Sequence, residues 1–325
     1  KHKTEVNYGN GKVLWGGAFS KTDGDELYPN YATTSAYLSS IGIKPSFISD
    51  GTVRYIHKKM PGVDIFFVSN RTNSKTKPIA EFRVSNAIPE LWDPMTGSIR
   101  FLPEHKVNDG SIRIPLQFNE YESYLIVFKA KTQKSNIDKR EKNFYDKEII
   151  QTIDGSWNIS FDTKWGGPEK IIFDRLQDWI DRPEKGIKFY SGKATYTKFF
   201  DFQNIDKSNR FYLNLGKVNV LAKVKLNGRN LGVVWTSPME VEISDALINK
   251  NNKLEIEVVN LWGNRLIGDE YYEDDGIKNG QWPDWLQNGE ERTSKRYTFT
   301  SWKHYSKDDS LQSSGLLGPV TIMVK

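Results

Sequence analysis

The sequence predicts a mainly β protein: two β-sandwich domains, the second a jelly roll, preceded by a short α/β remnant. Three observations predict it. Short β-branched and aromatic runs separated by Gly, Pro and Asn recur along most of the chain. A charged stretch almost without apolar residues, 129–142, divides them into two groups. The second group holds eight strand-like runs, and that number is what a jelly roll needs.

Taken in order, residues 12–15 read as a strand and 33–41 as a helix that stops at Gly42, with Pro45 excluding its continuation. These belong to a segment 1–46 that reads as the end of a preceding α/β domain. Runs at 64–69, 80–84, 111–114 and 121–129 make a small antiparallel sandwich over 47–130, with 89–94 as a tight turn because two prolines flank Trp92 and Asp93. A linker is expected over 131–144, since its residues cannot bury enough surface to offset their ordering cost. The domain over 145–325 has strand runs at 156–162, 194–202, 210–215, 221–226, 231–235, 239–243, 254–259 and 320–324. Asn227-Gly228 marks a hairpin, because both residues accept positive φ. The helical spacing of Ile172, Leu176, Trp179 and Ile180 predicts a helix over 171–180 that caps the sandwich.

Bulk properties exclude more than they assign. At 325 residues the chain fits two modest domains. The 46 basic and 41 acidic residues are interleaved, so a net charge of +5 provides no concentrated basic face, and no nucleic-acid partner is expected. Cysteine is absent, which removes disulfides and thiolate metal sites. No apolar run is long enough to span a membrane. A start at Lys1 without methionine predicts a processed form or a fragment.

Few residues suit catalysis. The acidic run 268–276 contains Asp269, Glu270, Glu273, Asp274 and Asp275, which could hold Ca²⁺ but lack the spacing of an EF-hand and read more readily as a solvated loop. His2, His57, His105 and His304 are isolated, and no phosphate-binding glycine motif follows Gly16-Gly17. Aromatic side chains are more informative, because pyranose C–H faces stack on Trp and Tyr while sugar hydroxyls bond to Asp, Asn and Arg. Residues 261–305 are rich in both, with little strand alternation between 260 and 294, and a segment of that length without regular structure reads as functional. Packing of individual tryptophans onto the sandwich is the alternative, and it is the expected role of Trp157, Trp165, Trp179 and Trp235.

These strings also carry a resemblance. Asp64-Ile-Phe-Phe-Val-Ser-Asn70 and Ile88-Pro-Glu-Leu-Trp-Asp-Pro-Met-Thr-Gly97 resemble the C-terminal region of bacterial α-L-rhamnosidases of glycoside hydrolase family 106. Ile187-Lys-Phe-Tyr-Ser-Gly-Lys-Ala-Thr-Tyr196, Val224-Lys-Leu-Asn-Gly228, Leu231-Gly-Val-Val-Trp-Thr-Ser-Pro238, Asn264-Arg-Leu-Ile-Gly-Asp269 and Ser313-Ser-Gly-Leu-Leu-Gly-Pro-Val320 are similar to its galactose-binding-like sandwich, of the type found in family 2 glycosidases. The resemblance implies that catalytic carboxylates and Ca²⁺ belong to a barrel that this chain does not contain.

The expected function is that of a non-catalytic accessory and carbohydrate-binding region of a glycoside hydrolase acting on plant-type polysaccharide. Trp262, Trp282 and Trp302 are expected to stack on the glycan, and Asn264, Arg265 and Asp269 to bond to it. Its other expected partner is the N-terminal catalytic domain, and its expected location is periplasmic or extracellular. A purely structural sandwich and a self-contained glycosidase are the alternatives.

Overall fold

A computed structural model describes residues 4–20, 28, 30–130, 142–203 and 205–325. The chain divides into two compact units, Lys1–Phe118 with Ser123–Asn143, and Asn119–Glu122 with Phe144–Lys325. Residues 131–141 of the expected linker lie outside the described residues. Asn143, at its end, is buried: its backbone N–H donates to Glu104 Oε2 at 2.8 Å and its side chain accepts from Glu104 N at 2.9 Å.

The mainly β fold is the one expected. In the first unit a five-stranded antiparallel sheet runs in the order Val53–Met60, Val63–Asn70, Ser123–Ala130, Ala87–Trp92, Ile99–Phe101. A four-stranded sheet runs Phe47–Ser49, Ile79–Phe82, Ser111–Pro115, Lys106–Asn108. Alternation along Val63–Asn70 turns Phe66 and Val68 inward and Phe67 outward. Phe82 of one sheet packs against Phe66 and Phe128 of the other, with ring centroids 4.9 and 5.1 Å apart, so the two sheets form a sandwich.

The turn expected at 89–94 is corrected. Ala87–Trp92 is a strand, and the turn follows it, with Gly97 N donating to Asp93 O at 2.9 Å. Proline is tolerated because Pro89 points its carbonyl at Leu102 N, just past the end of the short Ile99–Phe101 strand. Its nitrogen faces the same way, where no ladder donor is needed.

Before the sandwich come a hairpin, Thr4–Tyr8 with Gly11–Trp15, and a helix, Tyr31–Ser40. Asn30 caps the helix by accepting from Ala32 N at 2.8 Å. At the other end Gly42, at φ 79°, allows Ile43 N to reach Leu38 O. Neither element buries a side chain among its described residues.

The second unit has a six-stranded sheet in the order Ile171–Phe173, Trp157–Phe161, Lys193–Phe200, Asn252–Val259, Leu221–Leu226, Arg229–Val234. Opposite it run Glu148–Thr152, Thr321–Val324, Phe211–Asn214 and Glu240–Glu242. Lys217–Asn219 pairs separately with Gly315–Gly318. Asn252–Val259 shows the pattern most clearly, with Leu254, Ile256 and Val258 in the core and Lys253, Glu255 and Glu257 on the other face. The hairpin at Asn227-Gly228 is present, with φ of 52° and 81° and Leu226 opposite Arg229.

The helix expected over 171–180 is absent. Ile171–Phe173 is an edge strand paired with Trp157–Ile159, and Trp179–Asp181 is a single 3₁₀ turn capped by Asp178. Ile172 is exposed while Trp179 is in the core, so the two do not share a face. Consecutive β-branched residues favour the strand, and ten residues are too few for apolar spacing to exclude it.

Candidate functional site

The segment after Asn252–Val259 leaves the sheet at Asn260, whose buried amide accepts from Gly192 N at 2.9 Å and donates to Tyr190 O at 2.8 Å and Ser314 Oγ at 3.1 Å. That clamp directs the chain into a helix, Gly263–Asp269. The stretch expected to lack regular structure therefore begins with nearly two turns of buried helix, and a second short helix follows at Asp284–Gln287. The local pattern hides the first helix because its seven residues include two glycines and three polar side chains that are themselves buried, leaving no apolar stripe to set a period.

Asn264, Arg265 and Asp269 all lie on this helix, and their expected role in ligand contact is corrected. Asn264 and Asp269 are 1% exposed and Arg265 is 3% exposed. The Asn264 amide is matched to the backbone of Gln312, donating to its carbonyl at 2.6 Å and accepting from its N–H at 2.7 Å. Arg265 forms an ion pair with Asp269 at 3.1 Å and lies over the Tyr297 ring at 4.6 Å. The other Asp269 oxygen accepts from Tyr297 N at 3.0 Å and from Thr298 N and Oγ1, each at 2.7 Å. Gly268 is required here: a Cβ would sit 2.5 Å from Phe189 Cβ and 2.4 Å from the Arg265 guanidinium. These polar groups hold the loop and leave no surface for a sugar.

The tryptophans are arranged differently. Trp262, at the start of the helix, is 48% exposed and meets Trp165 edge-on with centroids 4.9 Å apart. Trp282 is 50% exposed and stacks on Phe299 at 6.0 Å and 20°. Trp302 is 71% exposed. Each keeps surface that a pyranose face can cover. Trp157 and Trp179 are in the core and Trp165 packs against it, as expected, whereas Trp235 is mostly exposed.

Phe299, Tyr297 and Gln312 were not singled out by sequence reasoning, because nothing in their spacing sets them apart from ordinary loop residues. Phe299 follows the two residues held by Asp269, and Trp285 closes on it edge-on at 5.8 Å.

Three acidic side chains of the run 268–276, besides Asp269, are engaged within the loop. Glu270 pairs with Arg296 at 3.0 Å and Lys303 at 3.4 Å, and Asp274 accepts from Gly276 N at 3.0 Å. Arg292 donates to both oxygens of Asp275, and this hydrogen bonding holds the Asp275 carboxyl below its ordinary range against the opposing effect of burial. Among the described residues no three His, Cys, Asp or Glu side chains gather into a group that could hold a metal ion. Nor does any helix among the described residues have the length and apolarity to cross a membrane.

Two families match along the chain. Residues 10–105 match the alpha-L-rhamnosidase family, and residues 175–303 match the galactose-binding domain-like family of glycosyl hydrolase 2. A rhamnosidase from Novosphingobium sp. PP1Y aligns in structure over 99% of this chain and 27% of its own, at a TM-score of 0.77 and 26% identity. A Formosa agariphila protein provisionally named a beta-glucuronidase is 43% identical over 176 residues, 52% of this chain and 15% of that protein. The chain thus spans well under a third of the length of either relative. Taken with the mainly β fold, these matches make the chain a glycoside hydrolase relative, with one stretch similar to the alpha-L-rhamnosidase family and another similar to the galactose-binding-like domain of glycosyl hydrolase 2.

Proposed function

We propose that this chain is a non-catalytic accessory region of a longer, secreted rhamnosidase-like glycoside hydrolase, and that it binds the glycan through Trp262, Trp282 and Trp302. Plant-type polysaccharide is the proposed source of that glycan. One observation carries the reading: three tryptophans keep 48%, 50% and 71% of their surface exposed on a loop whose base is fixed by buried hydrogen bonds. Indole faces held out from a rigid base suit C–H stacking, which rewards preorganisation. Asp269, Glu270 and Asp275 are bound up in ion pairs and backbone contacts, which supports a binding role over hydrolysis.

Calorimetric titration of the chain with rhamnose-containing oligosaccharides tests it. Saturable binding that is lost in Trp→Ala variants is expected. Absence of binding at millimolar sugar would refute the reading.

A second role rests on the opening segment. Tyr8, Val13, Trp15, Tyr31 and Leu38 are exposed on a hairpin and a helix that bury no side chain of their own. Apolar side chains without a core suit packing against another part of the longer enzyme, which is the proposed place of the catalytic domain. Amide exchange over these residues in the longer enzyme, compared with this chain alone, is expected to slow markedly. Equal rates would remove this role.

A further inference from the structure

We infer that Arg292 and Asp275 are positioning residues for a preformed stacking platform at Trp282, and that this platform takes the apolar face of an uncharged pyranose. The inference rests on the carbohydrate-binding reading and assigns it to one place on the loop.

The platform is built in steps. Trp282 is the outer ring, half exposed and backed by Phe299 at a 20° interplanar angle. Phe299 is itself closed from another side by Trp285, whose rings meet it at 82°. Trp285 is held by its indole N–H, which donates to Asp275 O at 3.1 Å, and by the Arg292 guanidinium 5.3 Å above its ring. Arg292 connects these pieces. One nitrogen donates to Asp275 Oδ1 at 2.8 Å and also to Thr298 O at 2.8 Å, immediately before Phe299. Bidentate contact with the carboxylate leaves the planar guanidinium little freedom to turn. Asp269 holds Thr298 from its N–H and hydroxyl, so the backbone that carries Phe299 is fixed by two separate charged groups.

Such a scaffold matters for binding because stacking on a mobile ring must first immobilise it. With Phe299 and Trp285 locked, the inner face of Trp282 is defined before any ligand arrives. By contrast, Trp262 touches Trp165 edge-on, which leaves its face without a stacked backing ring in that contact.

Charge defines the ligand class. Between 262 and 305 the sequence has eight acids, at 269, 270, 273, 274, 275, 284, 290 and 291, against six bases, at 265, 278, 292, 295, 296 and 303. Four of those six, Arg265, Arg292, Arg296 and Lys303, are already paired with carboxylates of the same loop. A uronate would meet a net negative surface whose cations are largely engaged, whereas a neutral ring faces no such repulsion.

The test uses the full chain, with methyl α-L-rhamnopyranoside as the neutral probe and methyl glucuronide as the charged one. Binding is followed by calorimetry and tryptophan fluorescence, beside the thermal midpoint of each variant. Trp282→Ala is expected to abolish neutral-sugar binding. Arg292→Ala and the isosteric Asp275→Asn should weaken it about tenfold through lost preorganisation while the thermal midpoint of the sandwich stays close to that of the parent chain. Arg292→Lys should recover part of the affinity, because the ammonium keeps a contact with Asp275 but cannot bridge to Thr298.

The glucuronide should bind more weakly, with the gap narrowing as salt is raised. If Trp282→Ala removes binding but neither Arg292→Ala nor Asp275→Asn changes it, the positioning role is overturned and the sugar site stands. Loss of binding only in Trp262→Ala or Trp302→Ala overturns the platform in the same way. Tighter binding of the glucuronide overturns the ligand class. Should Arg292→Ala fail to fold, Asp275→Asn decides the role alone. If the parent chain binds neither sugar, the carbohydrate reading itself has failed.

Discussion

Arg265 and Asp269, one helical turn apart, form a buried ion pair at 3.1 Å beneath the aromatic loop. The contact is not an aligned hydrogen bond, so its attraction is Coulombic, in a place where water cannot screen it. Its second function is to aim the free Asp269 oxygen at the Tyr297 and Thr298 N–H groups. Asp269→Ala would leave the Arg265 charge buried alone and release that backbone, at an expected cost of about 3–5 kcal/mol. Urea unfolding measures the loss, and limited proteolysis should then cut within 270–310. A change under about 0.5 kcal/mol would show that the pair does not hold the loop.

Trp302 separates binding from folding. With 71% of its surface exposed it contributes little to packing, so Trp302→Ala should leave the unfolding free energy within about 0.5 kcal/mol while reducing glycan affinity. Calorimetry and thermal denaturation on the same sample check both. Unchanged affinity would remove Trp302 from the site.

Tyr196 links stability to pH. Its hydroxyl accepts from Trp179 Nε1 at 2.6 Å and from Leu316 N at 3.2 Å inside the core. Burial raises its ionisation well above the ordinary tyrosine range. In the unfolded chain the same group ionises near pH ~10. The stability it carries is therefore complete below about pH 10 and is lost as pH rises from there towards the folded-state value. Tyr196→Phe should cost about 1–3 kcal/mol at neutral pH, because it strands the Trp179 N–H, and should flatten the alkaline decline. Urea midpoints across the alkaline range test this, and an identical decline in both proteins would disprove the assignment.

The hairpin at Asn227-Gly228 provides a backbone test. Asn227 donates to Ala246 O at 2.8 Å and accepts from Lys253 N at 2.8 Å, while Gly228 has open space around its missing Cβ. Gly228→Ala should therefore destabilise through its positive φ alone, by about 1–2 kcal/mol. Asn227→Gly keeps the φ but loses the side-chain bonds, and its thermal midpoint measures their contribution separately. No effect from either change would remove the turn from the determinants of register.

What was legible in the sequence was whatever depends on neighbours along the chain. Val63–Asn70 and Asn252–Val259 alternate because successive residues of a strand face opposite sides, so their place in a sheet is written locally. Asn227-Gly228 and Gly42 announce themselves because few other residues adopt positive φ. The aromatic loop was also visible, through composition alone.

Roles that depend on distant partners were not legible. Asn264, Arg265 and Asp269 look like ligand-binding residues in the sequence, since a polar side chain reads the same whether it faces water or Gln312 and Thr298. Ile171–Phe173 passes for part of a helix until Trp157–Ile159 pairs with it. Likewise Phe299 becomes the backing of Trp282 only once Asp269 has fixed the residues before it. The sequence by itself determined the mainly β class, the strand alternation and the hairpin turn at Asn227-Gly228, since these follow from local backbone preference and period. Only the tertiary structure decided which polar groups are buried and which tryptophan is backed by another ring, because burial and stacking are relations between residues far apart in the chain.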